Sequence, residues 1–184
     1  MEAIKSEPGV EEFQDEIYRL NNVDNIYVKS TAVFLPTLLK KKQGIILIHH
    51  LKNIDNWINV IKSQFPEMKI EKYHNELEMQ DRDVMRETFN EGLIQFLFAT
   101  PNMIEWNVFF EDFLHNQIVN KNITIAVEFR NRDYPGYNPV LAELKGNFPN
   151  QKWILFTDYD DEKFEDLKHD IPLQKVKIID LRNV

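Results

Sequence analysis

The stretch GIILIHHLKNIDNWINVIKSQF, residues 44–65, decides the fold class of this 184-residue chain. It begins with four consecutive aliphatic residues at 45–48, a pattern typical of a strand buried on both faces of a parallel sheet. Apolar residues then recur at helical spacing from Ile54 to Phe65, and Pro66 ends that helix. A buried strand followed by an amphipathic helix is the repeating unit of an α/β domain.

The same alternation continues on both sides of this stretch. A short helix is predicted before it, at 28–42, in which Pro36 must either lie in the first turn or kink the helix. Further strands are predicted at residues 68–73, 94–99, 123–129, 153–157 and 176–181, with helices between them. Helical crossovers between such strands produce a parallel sheet that is covered on both faces. We therefore predict one α/β domain at residues 25–184, preceded at residues 1–24 by an acidic, partly ordered leader with a short helical segment.

The charge and composition exclude several classes of function. The formal net charge of −8 disfavours strong nucleic-acid binding by this chain alone, because such binding needs cations that neutralise phosphates. The absence of cysteine excludes disulfides, thiolate zinc sites and cysteine nucleophiles. No run approaches the ~18 apolar residues of a membrane span, and the N-terminal residues lack the apolar segment of a secretory signal. We expect a cytoplasmic protein without a membrane partner.

Residues 44–100 resemble the C-terminal lobe of superfamily-two RNA helicases, the DEAD-box kind in particular. In that family a hydrophobic strand and a helix precede a strand ending in His-Gly, an Arg on the next helix, a Phe, a Gly and a strand ending in Thr-Asp. The corresponding residues here are 45–49, His74-Asn75, Arg82, Phe89, Gly92 and the strand 94–99 that ends at Thr100-Pro101. The resemblance implies a RecA-like fold, a three-layer sandwich with a mostly parallel central sheet.

The chain departs from this family where the family handles ATP. The Arg-Gly pair and the Asp that couple nucleotide to RNA are replaced by Glu105, Trp106 and Val108, which reverses one charge and removes another. The helix that carries the family's arginines corresponds to residues 138–147, which contain no arginine. Arg130 and Arg132 lie upstream, in what we interpret as a solvated loop. The chain also has no phosphate-binding loop. We therefore expect no catalytic residue, no cofactor and no enzymatic activity.

Three histidines follow predicted strands, where parallel sheets bind ligands. They are His49, His50 and His74. No carboxylate stands at a spacing from them that is typical of metal ligands, so we expect no metal site.

Two residues are candidates for RNA contacts, if any are retained. The resemblance places Arg82 near an RNA backbone and the Thr100 hydroxyl on a phosphate. Each also has a purely structural interpretation, which the acidic charge favours. Arg82 is four residues after Glu78 and could pair with it, and Thr100 could cap the helix that follows.

Four aromatic residues, Trp106, Phe109, Phe110 and Phe113, are spaced to form a stripe on one face of a helix. One interpretation is that the stripe packs on the chain's own sheet. The other is that it forms a protein–protein surface, because a lone lobe lacks the partner lobe that would cover its cleft. These residues are our candidates for an interaction surface.

The function predicted from these observations is that of a degenerate helicase C-terminal-like module. The domain order is similar to that of the Yb-like Tudor-domain proteins of piRNA biogenesis. That resemblance implies a larger protein, residence in cytoplasmic ribonucleoprotein granules, and a scaffold role by self-association or through a protein partner. One alternative is a weak RNA-binding lobe that works with a separate helicase or RNA-binding domain. Another is a helicase half that hydrolyses ATP with a partner lobe.

Overall fold

The structure, a computed structural model, describes residues 15–132 and 138–184. Its strands are β1 Glu16–Arg19, β2 Gly44–Ile48, β3 Ile70–Tyr73, β4 Phe96–Ala99, β5 Thr124–Phe129, β6 Trp153–Thr157 and β7 Lys177–Asp180. Its helices are α1 Ile26–Lys29, α2 Leu35–Leu39, α3 Leu51–Gln64, α4 Met79–Asn90, α5 Asn102–Trp106, α6 Val108–Lys121, α7 Asn138–Asn147 and α8 Asp161–Asp170. Among these, none is long and apolar enough to cross a lipid bilayer.

The strands form one parallel sheet in the order β3-β4-β2-β5-β6-β1-β7. Successive residues of the central strand β2 point to opposite faces, because side chains alternate along a strand. Ile45 and Leu47 pack under α4 to α8, whereas Ile46 and Ile48 pack under α1 to α3. Both faces are therefore covered by helices, and the predicted three-layer α/β fold is confirmed.

The first strand corrects the predicted leader. Residues Glu16–Arg19 pair in parallel with both β6 and β7, so they belong to the sheet and form no helical segment. Ile17 is fully buried in this strand, while Glu16 and Tyr18 are only half-buried. A four-residue strand with one fully buried aliphatic residue gives no apolar run for a pattern to detect. Residues 1–14 of the predicted leader lie outside the described residues.

The helix predicted at 28–42 is divided into three parts. A π-helical segment, Ser30–Phe34, joins α1 to α2, and Pro36 lies in the first turn of α2, so the predicted helix is interrupted before the proline. Proline has no backbone N–H and therefore removes one hydrogen bond from the helix. The π-helical segment directly precedes that turn, and the Leu35 N–H donates to the carbonyl of Ser30.

A buried ion pair at the amino-terminal ends of the strands joins the residue before β1 to α7 and β6. One oxygen of Asp15 accepts hydrogen bonds from Lys145 Nζ at 2.9 Å and from the Trp153 N–H at 2.8 Å, and the other accepts from the Gln174 N–H at 2.6 Å. Lys145 Nζ also donates to the Gln151 carbonyl at 2.6 Å. Neither charged side chain is accessible to more than 1%. We call this arrangement the Asp15 clasp.

Candidate functional site

The ends of the parallel strands define the edge where α/β sheets of this type bind ligands. We call it the carboxyl edge. The residues that come directly after β2, β3, β4, β5 and β6 are His49, His74, Thr100, Arg130 and Asp158. His49, His74, Thr100 and Arg130 therefore lie at one edge of the sheet, whereas Arg82 and the four aromatic candidates lie on helices. Their partners decide what this edge can bind.

A buried glutamate organises the centre of this edge. Glu128 of β5 is 1% exposed and faces the layer of α1 to α3. Its Oε2 accepts from Trp57 Nε1 at 2.8 Å and from Lys29 Nζ, and its Oε1 accepts from Arg130 Nε at 2.7 Å. The Lys29 ammonium lies 3.1 Å from the centroid of the Trp57 ring. We call these four residues the Glu128 cluster. Its carboxylate is fully used by groups of the same chain.

The arginines at this edge are likewise held by carboxylates. Arg130 binds Asp24 at 2.6 Å in addition to Glu128, so it is half-buried and not part of the solvated loop that the sequence suggested. Arg132 is exposed. Two further arginines are paired in the same way. Arg19, the last residue of β1, binds Asp161 at 2.6 Å, and Arg182, which follows β7, binds Asp180 at 2.7 Å. The carboxylate of such a pair competes with a phosphate for the guanidinium and offsets its positive charge.

The structure places the two RNA-contact candidates without testing their role. Arg82 lies half-buried in the first turn of α4, and within the described residues it forms no ion pair with Glu78. Thr100 is buried, and its hydroxyl donates to the side-chain oxygen of Asn102. It does not cap α5, whose N-cap residue is Pro101. Both structural interpretations are therefore wrong in detail, and the RNA contacts stay predictions.

The aromatic stripe is split between two environments. Phe110 and Phe113 are in the core, whereas Trp106 is 63% exposed and Phe109 is 54% exposed. The stripe does not lie on one helix, because Asn107 ends α5 and caps α6, its side chain accepting from the Phe110 N–H at 3.1 Å. The predicted single face is therefore wrong. Half of the stripe packs on the sheet and half faces solvent.

The histidines at the edge lie near groups of the same chain. His49 is buried, with Nδ1 3.1 Å from the carbonyl oxygen of Glu128. His74 lies 3.9 Å from Glu76, and burial lowers the pKa of His74. In the part of the chain that the structure describes, no three histidine or acidic side chains are grouped to hold a metal ion.

The lowered pKa of Lys29 predicts that the stability of the protein depends on pH. Burial lowers the pKa of Lys29 to about 8, against the opposing attraction of Glu128. Lysine in the unfolded chain titrates at about 10.4. Between these values the unfolded chain binds a proton that folded Lys29 does not bind, so the free energy of unfolding rises with pH. We expect the difference in this free energy between the protein and Lys29→Met to grow over that window in urea titrations. A difference that shrinks instead would mean that the attraction of Glu128 outweighs burial and raises the pKa of Lys29 above that of lysine in the unfolded chain.

Comparison with known proteins identifies the fold. No protein-family model matches the chain, and no curated protein matches it. The C-terminal domain of the DEAD-box protein Dbp5 has a TM-score of 0.57 at 16% identity, over 94% of this chain and 92% of that one. The DUF1998 helicase MrfA bound to DNA and AMPPNP has a TM-score of 0.65 at 11% identity, over 91% of this chain and 25% of that one.

The Hef helicase domain of Pyrococcus furiosus has a TM-score of 0.59 at 14% identity, over 92% of this chain and 35% of that one. At such identities a structural likeness shows the fold alone. All three similar structures come from helicases. The chain has the RecA-like α/β fold of helicase C-terminal domains.

Proposed function

We propose that this chain is a non-catalytic helicase-C-like module that works by protein association, including association with itself. The observation that carries the proposal is the pairing of Arg19, Arg130 and Arg182 with carboxylates at the carboxyl edge. Arginines that stabilise a transferring phosphoryl group contribute about 10³–10⁵ in rate. Here α7 contains no arginine, and Arg130, which follows β5, is bound by Glu128 and Asp24. We infer that the chain is not an enzyme.

An exposed apolar surface supports the association part of the proposal. Trp106, Val108 and Phe109 lie within four residues of one another, on either side of Asn107, and are each more than half exposed. We call them the Trp106 patch. Contiguous large apolar side chains on a surface favour binding to another protein, because association removes them from water. A Dbp5 C-terminal domain, which has a similar fold, has been solved bound to Gle1 and IP6, so lobes of this fold can bind proteins.

The cellular setting belongs to the same proposal. The resemblance to Yb-like Tudor-domain proteins, which rests on domain order and on the degenerate helicase-like lobe, is the basis for a scaffold role within a larger piRNA-biogenesis protein of cytoplasmic ribonucleoprotein granules. Self-association through the Trp106 patch would join several copies of such a protein. RNA is a weak partner for this module alone, because the net charge of −8 repels phosphates.

Light scattering over a concentration series tests self-association. We expect the average mass to rise with concentration, and Trp106→Ser with Phe109→Ser to abolish the rise because both exposed rings are lost. The matched control replaces two exposed apolar residues on the opposite layer, Tyr27→Ser with Leu39→Ser, and should leave the rise unchanged.

Two results would contradict the proposal. A strictly monomeric protein at all concentrations removes self-association. ATP hydrolysis on addition of a helicase first lobe removes the non-catalytic assignment. Salt-sensitive binding of single-stranded RNA that is lost in Arg82→Glu would favour the RNA-binding alternative instead.

A further inference from the structure

A groove lies between three helices on the face covered by α4 to α8. α5 packs against both α6 and α7, and the space that these helices leave has a volume of about 380 Å³. The base of this groove is apolar. Ile104 of α5 and Leu144 of α7 are almost fully covered, and Val140, one turn before Leu144, is half-buried. Such a base favours binding of apolar side chains from a partner.

The rim of the groove carries three glutamates, Glu105, Glu111 and Glu143. Glu105 and Glu143 are exposed and Glu111 is half-buried. None of the three forms an ion pair within residues 15–132 and 138–184. The cation of α7, Lys145, points away to Asp15 in the Asp15 clasp. The groove therefore combines an apolar base with uncompensated negative charge, which attracts a cationic ligand.

We propose that this acidic groove binds a basic amphipathic helix of a partner protein. Apolar residues on one side of such a helix would cover Pro139 and Val140, the accessible apolar lining residues, while flanking Lys or Arg residues would face the glutamates. An extended peptide fits less well, because the groove is built from helices and the free edges of the sheet are at β3 and β7. The inference rests on the proposed function only in treating the chain as a protein-binding module.

The charge of the chain excludes other occupants. Self-association is proposed to use the Trp106 patch, and a second copy with a net charge of −8 has no excess of cations to face the glutamates of this groove. Residues 1–14 contain four glutamates and one lysine, so they have the wrong charge for this groove. Nucleic acid is excluded for the same reason. The partner is therefore a separate, basic protein.

Fluorescence anisotropy with a designed peptide tests the groove. The probe is a labelled amphipathic helix of Leu and Lys, and its counterpart has Glu in place of Lys. We expect the Lys peptide to bind the protein and the Glu peptide not to bind. The double variant Glu111→Lys with Glu143→Lys should weaken binding by at least about tenfold. Val140→Ser should weaken it by about fivefold without any change in charge.

The matched control reverses two exposed glutamates outside the groove, Glu87→Lys with Glu91→Lys, and should change affinity by less than about twofold. Equal weakening by both double variants would overturn the proposal, because it would show attraction by net charge alone. Absence of binding, or equal binding of both peptides, would also overturn it. Trp106→Ser with Phe109→Ser should bind the peptide normally, so failure of self-association and failure of the groove are distinguishable.

Discussion

Replacing Lys145 with methionine is expected to lower the free energy of unfolding by about 3–5 kcal/mol. The substitution leaves the Asp15 carboxylate in a site that is 1% accessible, without its counter-ion. It also leaves the carbonyls of Pro149 and Gln151 without the donor that they share. Since whole domains are stable by about 5–15 kcal/mol, this is a large fraction of the total. Urea denaturation followed by circular dichroism measures the change.

The control for this prediction is the same substitution at a neighbouring exposed pair. Lys152 binds Glu16 at 3.1 Å, with 43% of the lysine side chain exposed. Lys152→Met is expected to cost less than about 1 kcal/mol, because solvent screens such pairs. If both lysine variants lose the same stability, the Asp15 clasp contributes no more than a surface ion pair. The clasp would then not be what holds β1, α7 and β6 together.

Replacing Glu128 with glutamine is expected to lower the free energy of unfolding by a similar amount, about 3–5 kcal/mol. The side chain keeps its shape, but the Lys29 ammonium, which is 5% exposed, loses the carboxylate that compensates it. Arg130 keeps Asp24, so the loss falls mainly on Lys29. Glu71→Gln, at an exposed position of β3, is the matched control and should change stability by less than about 0.5 kcal/mol.

A double variant separates charge from packing in the Glu128 cluster. Adding Lys29→Met to Glu128→Gln removes the uncompensated ammonium and should restore part of the stability. If the double variant is as unstable as the sum of the two single variants, the loss comes from packing around Trp57 and not from the charge of Lys29.

Most of the sheet could be predicted from sequence because its strands are buried on both faces. Such strands must be apolar along their whole length, so β2, β4 and β6 appear as runs of aliphatic and aromatic residues. β1 could not be found in this way, since its four residues include two charged ones. Its strand conformation depends on pairing with β6 and β7, which lie far away in sequence.

The candidate site was harder to predict than the fold. The helical spacing of the aromatic residues was correct, but it could not show that Asn107 divides them between α5 and α6. Glu128 did leave a signal, as the charged residue of an otherwise apolar strand, TIAVEF. The sequence could not identify the groups that compensate its charge, because Lys29 and Trp57 lie on helices that are 99 and 71 residues away from Glu128 in the chain. Tertiary contacts, rather than local patterns, determine these partners.

The position of β1 has a consequence for the order in which the molecule forms. Among the described strands, the first in sequence, β1, is placed between the last two, β6 and β7. Its backbone partners therefore do not exist until residues 153–180 have been synthesised. Closing so long a loop is slow, so we expect this corner of the sheet to assemble after the pairing of β2, β4 and β5. Until then Ile17 is without its core, and the nascent chain depends on β2, β4 and β5 for its first compact structure.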